Sequence, residues 1–521
     1  MTKPTMSAYP VLAILAFMVL GPMMALLTVT GVSVIESESL SFWKSAYLRR
    51  VLIFSFWQAF LSTALSVSLA IIVARAFARY GCFPFRNLIL KLFGLPLVIP
   101  AVVAVFGLVS VFGTGGWIPL GRDLYGLNGI LLAHIFFNLP LAVRLLLPAW
   151  KSIPEQHWKL GQQLGMNSWQ QWKYLEWPTL RENLPGVGVL VFMLCLTSFA
   201  VVLTLGGGPK STTLEVAIYQ SLRFDFEPAQ AAVLAALQLS LCATVALISF
   251  RLQKLPEVEI TSTALQCPVD TNTLKLNAVI LLAAVVYVAM PMIAMLFEAF
   301  TGPVRQVLSN PALWRSAALS LSIGMIAATL SILAAWLILR SASDLYYIKR
   351  KHKAAYLEMA GSIVYVVPPL VIGTGLFVLI APRFNVFDWA IPIVILINAM
   401  TGLPFAIRAL GPAMRQNKMR YQRLCESLNL DGWNRFKTVD WPLLRKPLGL
   451  AMALVTALAM GDLGVIALFG TPETTTLPLL LYQQLGAYLM SEAAVTAVFL
   501  LGFCLLVFWL LEGIIGGREN V

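Results

Sequence analysis

The residues of this chain best suited to chemistry are few and widely spaced. His134, Asn138 and Asp462 lie within apolar runs, six cysteines are scattered at 82, 195, 242, 267, 425 and 504, and a glycine-rich segment passes through Gly206, Gly207, Gly208, Pro209 and Lys210. A membrane-embedded enzyme needs His, Asp or Cys groups converging at one depth, and only His134 and Asp462 are candidates for such a place. The cysteines lack C-x-x-C spacing, so they suggest neither a disulfide framework nor a metal cluster. The glycine segment lacks G-x4-G-K-[S/T] spacing and follows an apolar run rather than a strand, so it reads as an exposed turn and not as a phosphate cradle. No catalytic residue, metal site or cofactor site is expected.

A stronger pattern is a pair of aromatic and basic clusters. In the first, Gly165 precedes Trp169, Trp172 and Lys173, spaced i, i+3 and i+4, and Trp177 and Pro178 follow. In the second, Asn429 precedes Trp433, Phe436, Lys437, Trp441 and Pro442. Ser152 is an expected N-cap with Pro154 and Glu155 in the first turn, where proline and an acid fit best. Gly165 and Asn429 suit the left-handed stop of that helix. Asn167 or Ser168, and Asp431 in the second copy, then cap a short helix over 168–174 or 432–439, and the proline sets up re-entry into the apolar run. Such a surface binds rather than catalyses. It suits either a protein partner or a lipid surface, where Trp and Lys are also expected.

The elements that must position these clusters are membrane helices. The 521 residues are 59% hydrophobic and 12% charged, against about 25% charged in soluble domains. Uncharged runs cover 4–35, 51–74, 92–121, 124–143, 184–209 and 228–250, then 276–297, 316–339, 359–382, 389–407, 447–461 and 493–511. The run from 447 reaches span length only if Asp462 is admitted, to about 469. A dozen such runs cannot hide in one soluble core, and most reach the roughly 20 residues that cross a bilayer. The expected fold is an all-α polytopic membrane protein with about 12 transmembrane helices. The net charge of +13 is not a nucleic-acid footprint, because Lys and Arg gather in alternate loops: 75–91, 251–254, 349–353 and 415–437. By the positive-inside rule both termini face the cytoplasm, with Arg49 and Arg50 as exceptions. The first run has no convincing cleavage site and is long for a signal peptide.

Laid over itself, the chain repeats. Ser55 meets Ser320 and Arg75 meets Arg340; Pro100 meets Pro368 and Gly107 meets Gly375. At an offset of 264, Pro140, Arg144, Trp169, Lys173, Trp177 and Arg181 meet Pro404, Arg408, Trp433, Lys437, Trp441 and Arg445. Thr212, Thr213 and Leu214 meet Thr475, Thr476 and Leu477. Six spans per half give both halves the same orientation, hence two parallel six-helix repeats, 1–255 and 276–521, joined by a cytoplasmic linker at 256–275. The best-matched segments are loops, 150–182 and 413–446, as expected if two equivalent partners dock there.

Those loops resemble the EAA loop of ABC importer permeases, EAA-x3-G-x9-I-x-L-P. Gly165, Leu175, Trp177 and Pro178 match its glycine, isoleucine, leucine and proline, and Val439, Trp441 and Pro442 fit likewise. Lys159 and Arg423 stand at the glutamate position, and Asn429 replaces the glycine. The resemblance implies the type I importer permease fold. It makes each short helix a coupling helix on one of two ATPase subunits, carried by Trp169, Trp172, Lys173, Trp433, Phe436 and Lys437. Wider stretches, among them 54–62, 129–140, 192–209 and 481–488, resemble the fused permeases of bacterial thiamine importers. Thiamine or its phosphates, delivered by a periplasmic binding protein, is the implied cargo. Related fused permeases for ferric iron share the architecture. A twelve-helix secondary transporter would carry a G-x3-D-R-x-G-R-like loop after its second span, and 75–91 has none. Asp462 is a candidate for gating, packing or the translocation path, with His134 and Asn138 weaker candidates for the path; a helix–helix hydrogen bond is their default role.

Overall fold

The structure, a computed structural model, describes residues 7–35, 45–80, 85–252, 274–362, 364 and 366–517. The expected linker falls almost entirely outside them, as do Cys82 and Cys267. The described residues form helices and no strand. Twelve principal helices follow in order: α1 (Ala8–Ile35), α2 (Ala46–Arg79), α3 (Ala101–Phe112), α4 (Leu127–Lys151), α5 (Trp177–Leu196), α6 (Pro228–Leu252), α7 (Leu274–Thr301), α8 (Pro311–Tyr347), α9 (Pro369–Ile380), α10 (Ala390–Ser427), α11 (Trp441–Met460) and α12 (Met490–Gly516).

Ten helical segments among the described residues are long and apolar enough to cross a membrane. The helices α3 and α9 are not, with 12 residues each. At 1.5 Å per residue that is about 18 Å, short of roughly 30 Å of hydrocarbon. The apolar runs 92–121 and 359–382 are therefore not full-length helices. Proline is the reason. Pro100 is the N-cap of α3, and Pro368 and Pro369 open α9; proline suits a helix start and disrupts its interior. The chain before α3 instead forms the short helices Arg86–Leu92 and Leu95–Leu97.

The fifth and eleventh runs are also interrupted. After α5 the chain breaks at Thr197 and Ser198 and resumes as Phe199–Leu205. After α11 it breaks at Gly461, Asp462 and Leu463 and resumes as Gly464–Phe469. The two breaks are repeat-equivalent.

Within each half α2 packs on α4 and α5, and α8 packs on α10 and α11. The first helix of each half also crosses over: α1 lies against α8 and α9, and α7 against α2 and α3. This reciprocal exchange is what a pseudo-two-fold axis between parallel repeats produces. Buried serines complete the pattern. Ser55 Oγ on α2 accepts from Leu214 N–H at 2.9 Å, and Ser320 Oγ on α8 accepts from Leu477 N–H at 2.9 Å. Each serine thus satisfies a first-turn donor of a short helix, Leu214–Arg223 or Leu477–Gly486, where water cannot.

Candidate functional site

Each twin loop is built by local backbone rules. Ser152 is the C-cap of α4, its Oγ donating to Ala149 O at 2.8 Å, and not the N-cap expected from sequence. The next helix, Glu155–Gln163, starts after Pro154, whose fixed φ already matches the entry. It ends in a Schellman motif: Gly165, at φ +63, donates to Gln162 O at 3.0 Å, and Met166 donates to Gly161 O at 3.0 Å. In the second loop Asn429, at φ +51, donates to Glu426 O at 3.3 Å, and Leu430 donates to Cys425 O at 2.8 Å. Asn167 and Gln170 form a reciprocal capping box, both bonds 2.9 Å. Asp431 holds the equivalent position without a side-chain cap bond.

The short helices are not separate elements ended by proline. Ser168–Gln171 runs through a π-turn, Trp172–Glu176, directly into α5, and Gly432–Arg435 runs through Phe436–Asp440 into α11. Pro178 and Pro442 explain both π-turns. Proline has no N–H, and its ring crowds the carbonyl four residues back. The wider turn accommodates this, with Trp177 N–H reaching Trp172 O and Trp441 N–H reaching Phe436 O. Each short helix is thereby continuous with a long helix of the bundle.

Trp169 is 69% exposed and Trp433 73%. Lys173 and Lys437 are exposed beside them, with Lys173 Nζ 5.1 Å from the Tyr174 ring. Trp172 instead packs on Trp177, centroids 5.8 Å apart, and Phe436 lies between Trp433, Trp336 and Trp441. In each loop the first tryptophan is the most exposed, Trp177 and Trp441 are less so, and the aromatic between them holds the turn.

What fastens the first loop is a buried ion cluster that the sequence reading missed. Glu176 is buried inside the π-turn, accepting from Arg75 Nε at 2.9 Å, Arg79 Nε at 3.1 Å and Trp150 Nε1 at 3.0 Å. Arg75 also donates to Ser168 O and Oγ, both 3.1 Å, and lies 5.2 Å from the Trp172 ring. Arg79 donates to Gln171 and stacks 5.0 Å from the Trp158 ring. The second loop is held differently. Asp440, the counterpart of Glu176, accepts from Asn417 at 2.8 Å and sits 3.6 Å from Arg435, while Lys418 meets Asp344 at 2.6 Å. Asp344 stands at the repeat position of Arg79, so the charge is reversed. On the helix Lys351–Gly361, burial pushes the Glu358 carboxyl above its usual range, and Arg415 Nη1 at 2.9–3.0 Å from its oxygens pulls the other way.

Inside the membrane bundle, a cavity of about 300 Å³ lies where α4, the start of α3 and the α5 break meet α11. His134 and Asn138 line it; Asp462 does not, although Gly461 beside it does. Asp462 instead accepts from Gly464 N–H at 3.1 Å and Val465 N–H at 3.3 Å, capping the helix that restarts after the break. His134 Nδ1 is 2.8 Å from Ser62 Oγ, and Asn138 Nδ2 donates to Cys195 Sγ at 3.2 Å. Beyond His134, the structure also buries Arg79, Glu176, Glu215 and Asp344, whereas Asp462 is half-buried. Glu215 accepts from Gln238 at 3.3 Å.

Comparison with known proteins agrees with this architecture. The family described as binding-protein-dependent transport system inner membrane component matches residues 66–254. The thiamine transport system permease protein ThiP of Brucella abortus (strain 2308) is 42% identical over 533 aligned residues, covering 100% of this chain and 96% of the relative. That of Escherichia coli (strain K12) is 41% identical over 494 residues, 92% of each chain. The Haemophilus influenzae protein of the same name is 39% identical over 474 residues, 89% of this chain and 88% of the relative. With two helical repeats, ten apolar helices long enough to span and relatives matched end to end, the chain belongs to the family of fused inner-membrane permeases of binding-protein-dependent transport systems, as a multi-pass permease subunit and not an enzyme.

Proposed function

We propose that this permease carries thiamine or its phosphates from a periplasmic binding protein to the cytoplasm by alternating access, driven by two copies of an ABC ATPase. The cargo follows from the relatives' names. One ATPase seats against Trp169, Trp172 and Lys173, the other against Trp433, Phe436 and Lys437. Gly165, Asn429 and the pairs Trp177–Pro178 and Trp441–Pro442 set the angle of each contact. Both termini and both loops face the cytoplasm, in keeping with the basic clusters at 75–91 and 349–353. The repeats 1–255 and 276–521 act as the two rocking bodies, with His134 and Asn138 on the path between them and Asp462 shaping it through the α11 break.

The observation that carries the reading is the exposure of Trp169 and Trp433 at matched positions, 69% and 73%. A large aromatic left in solvent on an otherwise fastened segment is the pattern of a binding hot spot. The test is uptake into proteoliposomes holding the permease, its ATPase and its binding protein. Uptake should require ATP and both accessory chains. Alanine at Trp169 plus Trp433 should abolish it and loosen ATPase co-purification. Normal ATPase binding and turnover in that variant would show that the loops are not the docking sites, and proton-driven uptake by the permease alone would overturn the whole reading.

A further inference from the structure

The two helices that restart after the membrane breaks are closed differently. In the first half, Phe199–Leu205 ends at Gly206, and its last carbonyl, Leu205 O, accepts from Gly126 N–H of the same half at 2.7 Å. In the second half, Gly464–Phe469 ends at Gly470. There the acceptor is Gly470 O, and the donor comes from the other half: Arg223 Nη2, at 2.7 Å. The Arg223 guanidinium also lies 5.6 Å from the ring of Phe387, again a residue of the second half. The repeat position of Arg223 is Gly486, which has no side chain to reach back. The bridge is one-sided.

A cation fits this place. The last carbonyls of a helix carry partial negative charge, and an arginine beside them is favourable. Asp462 caps the opposite end of the same helix, so Gly464–Phe469 is held at one end by its own half and at the other by its neighbour. Arg223 is the last residue of Leu214–Arg223, whose first turn is fixed to α2 through Ser55. Tyr219, one turn before Arg223, is buried, with the rings of Phe199 at 5.3 Å and Phe224 at 5.6 Å. The guanidinium is thus carried on a segment fastened within the first half, while everything it grips belongs to the second. Phe387 in turn lies 6.5 Å from Phe377 of α9, which is 6.3 Å from Phe469. In the topology proposed above, the segment between the fifth and sixth spans is external, so this joint closes the outer end of the seam between the halves.

We propose that Arg223 is the positioning residue that holds the outer mouth of the permease shut, as a latch from the first half onto the second. Rocking the halves apart at the outer face must break the Arg223–Gly470 bond and draw the guanidinium off Phe387. Gly486 makes no such bond at the mirror position, so the resistance to opening lies on one side of the pseudo-two-fold axis. The inference rests on the transport reading above, in which the ATPase and the binding protein together favour an open outer mouth over this closed one. Removing the latch lowers what they must supply, and the mouth then opens without the binding protein.

The test uses the full permease–ATPase complex in nanodiscs, with ATP turnover measured without and with the binding protein. Arg223→Ala should raise turnover without binding protein roughly ten-fold, the low end of what a hydrogen bond to a charged group holds. In proteoliposomes it should lower the thiamine moved per ATP. Arg223→Lys, which keeps a cationic donor for Gly470 O, should restore most of the control. Phe387→Leu leaves the bond and removes the ring, so it should raise turnover about two- to five-fold, and it carries the test if Arg223→Ala fails to fold. Arg305→Ala removes an exposed external charge elsewhere and should match wild type. Turnover unchanged in Arg223→Ala and Phe387→Leu, an equal rise in Arg305→Ala, or no recovery in Arg223→Lys overturns the latch. Wild-type uptake is scored separately. If it requires ATP and the binding protein while the variants turn over as wild type does, the latch falls and the permease reading stands; if it requires neither, the permease reading itself falls.

Discussion

Gly107 on α3 packs against the carbonyl of Pro291 on α7, so closely that a methyl group on Gly107 would lie 2.8 Å from Pro291 O. The mirror pair repeats it: a methyl on Gly375 of α9 would lie 2.7 Å from Pro22 O on α1. Each proline lies within the first helix of one half, and each glycine within the third helix of the other. Small residues let membrane helices approach closely, and here they hold the crossed-over helices that tie the halves together. Gly107→Val and Gly375→Val should each destabilise the permease by about 1–3 kcal/mol through overpacking. The sites share no partner, so the double variant should show nearly the sum. Thermal unfolding in detergent checks this, and an unchanged midpoint in either single variant refutes the tight contact.

The unequal anchoring of the loops predicts unequal sensitivity. Glu176 is the acceptor shared by Arg75, Arg79 and Trp150. Its removal leaves a buried guanidinium without its partner, a loss of about 3–5 kcal/mol. Asp440 rests on one amide and a longer contact to partly exposed Arg435. Asp440→Asn should therefore lose about 1–2 kcal/mol, and Glu176→Gln clearly more. If both substitutions lower the melting temperature equally, the first-half cluster is not the stronger anchor.

The alternating basic loops, the repeat and the twin clusters were legible in the sequence because hydropathy and proline, glycine and tryptophan spacing act locally. Gly165 and Asn429 could be placed at left-handed turns on those grounds alone. Glu176 could not. Its arginine partners lie 101 and 97 residues away on α2, and Arg75 and Arg79 read as topology-setting charges at the end of a span. The same limit explains α3 and α9. Composition gave full apolar runs, whereas Pro100 and Pro368 set where the helices begin. Asp462 lay in an apolar run by composition, but the chain breaks there and turns its carboxylate onto backbone.

The matched serines give a test of the repeat itself. Ser55→Ala and Ser320→Ala each remove the acceptor for a buried N–H, of Leu214 or Leu477. An unsatisfied buried donor costs about 1–3 kcal/mol. Both variants should lose stability by similar amounts, because the two bonds have the same length and both serines are buried. Hydrogen exchange at the Leu214 and Leu477 amides should accelerate in the matching variant only. Exchange unchanged at the targeted amide would mean that another group accepts the bond.

Asp462 separates a structural carboxylate from a conducting one. Its oxygens receive the N–H groups of Gly464 and Val465, and it is absent from the cavity lining. Asn retains one acceptor oxygen, so Asp462→Asn should keep the restarted helix capped and leave thiamine uptake near wild type. Asp462→Ala removes both acceptors and should destabilise by about 0.5–2 kcal/mol, the usual loss of a helix cap. It should also slow uptake, because the adjoining Gly461 borders the cavity and lies against Pro100: a methyl group on Gly461 would sit 3.0 Å from Pro100 Cγ. Uptake lost in Asp462→Asn while the melting temperature is preserved would place the charge itself on the path, and the cap would then be incidental.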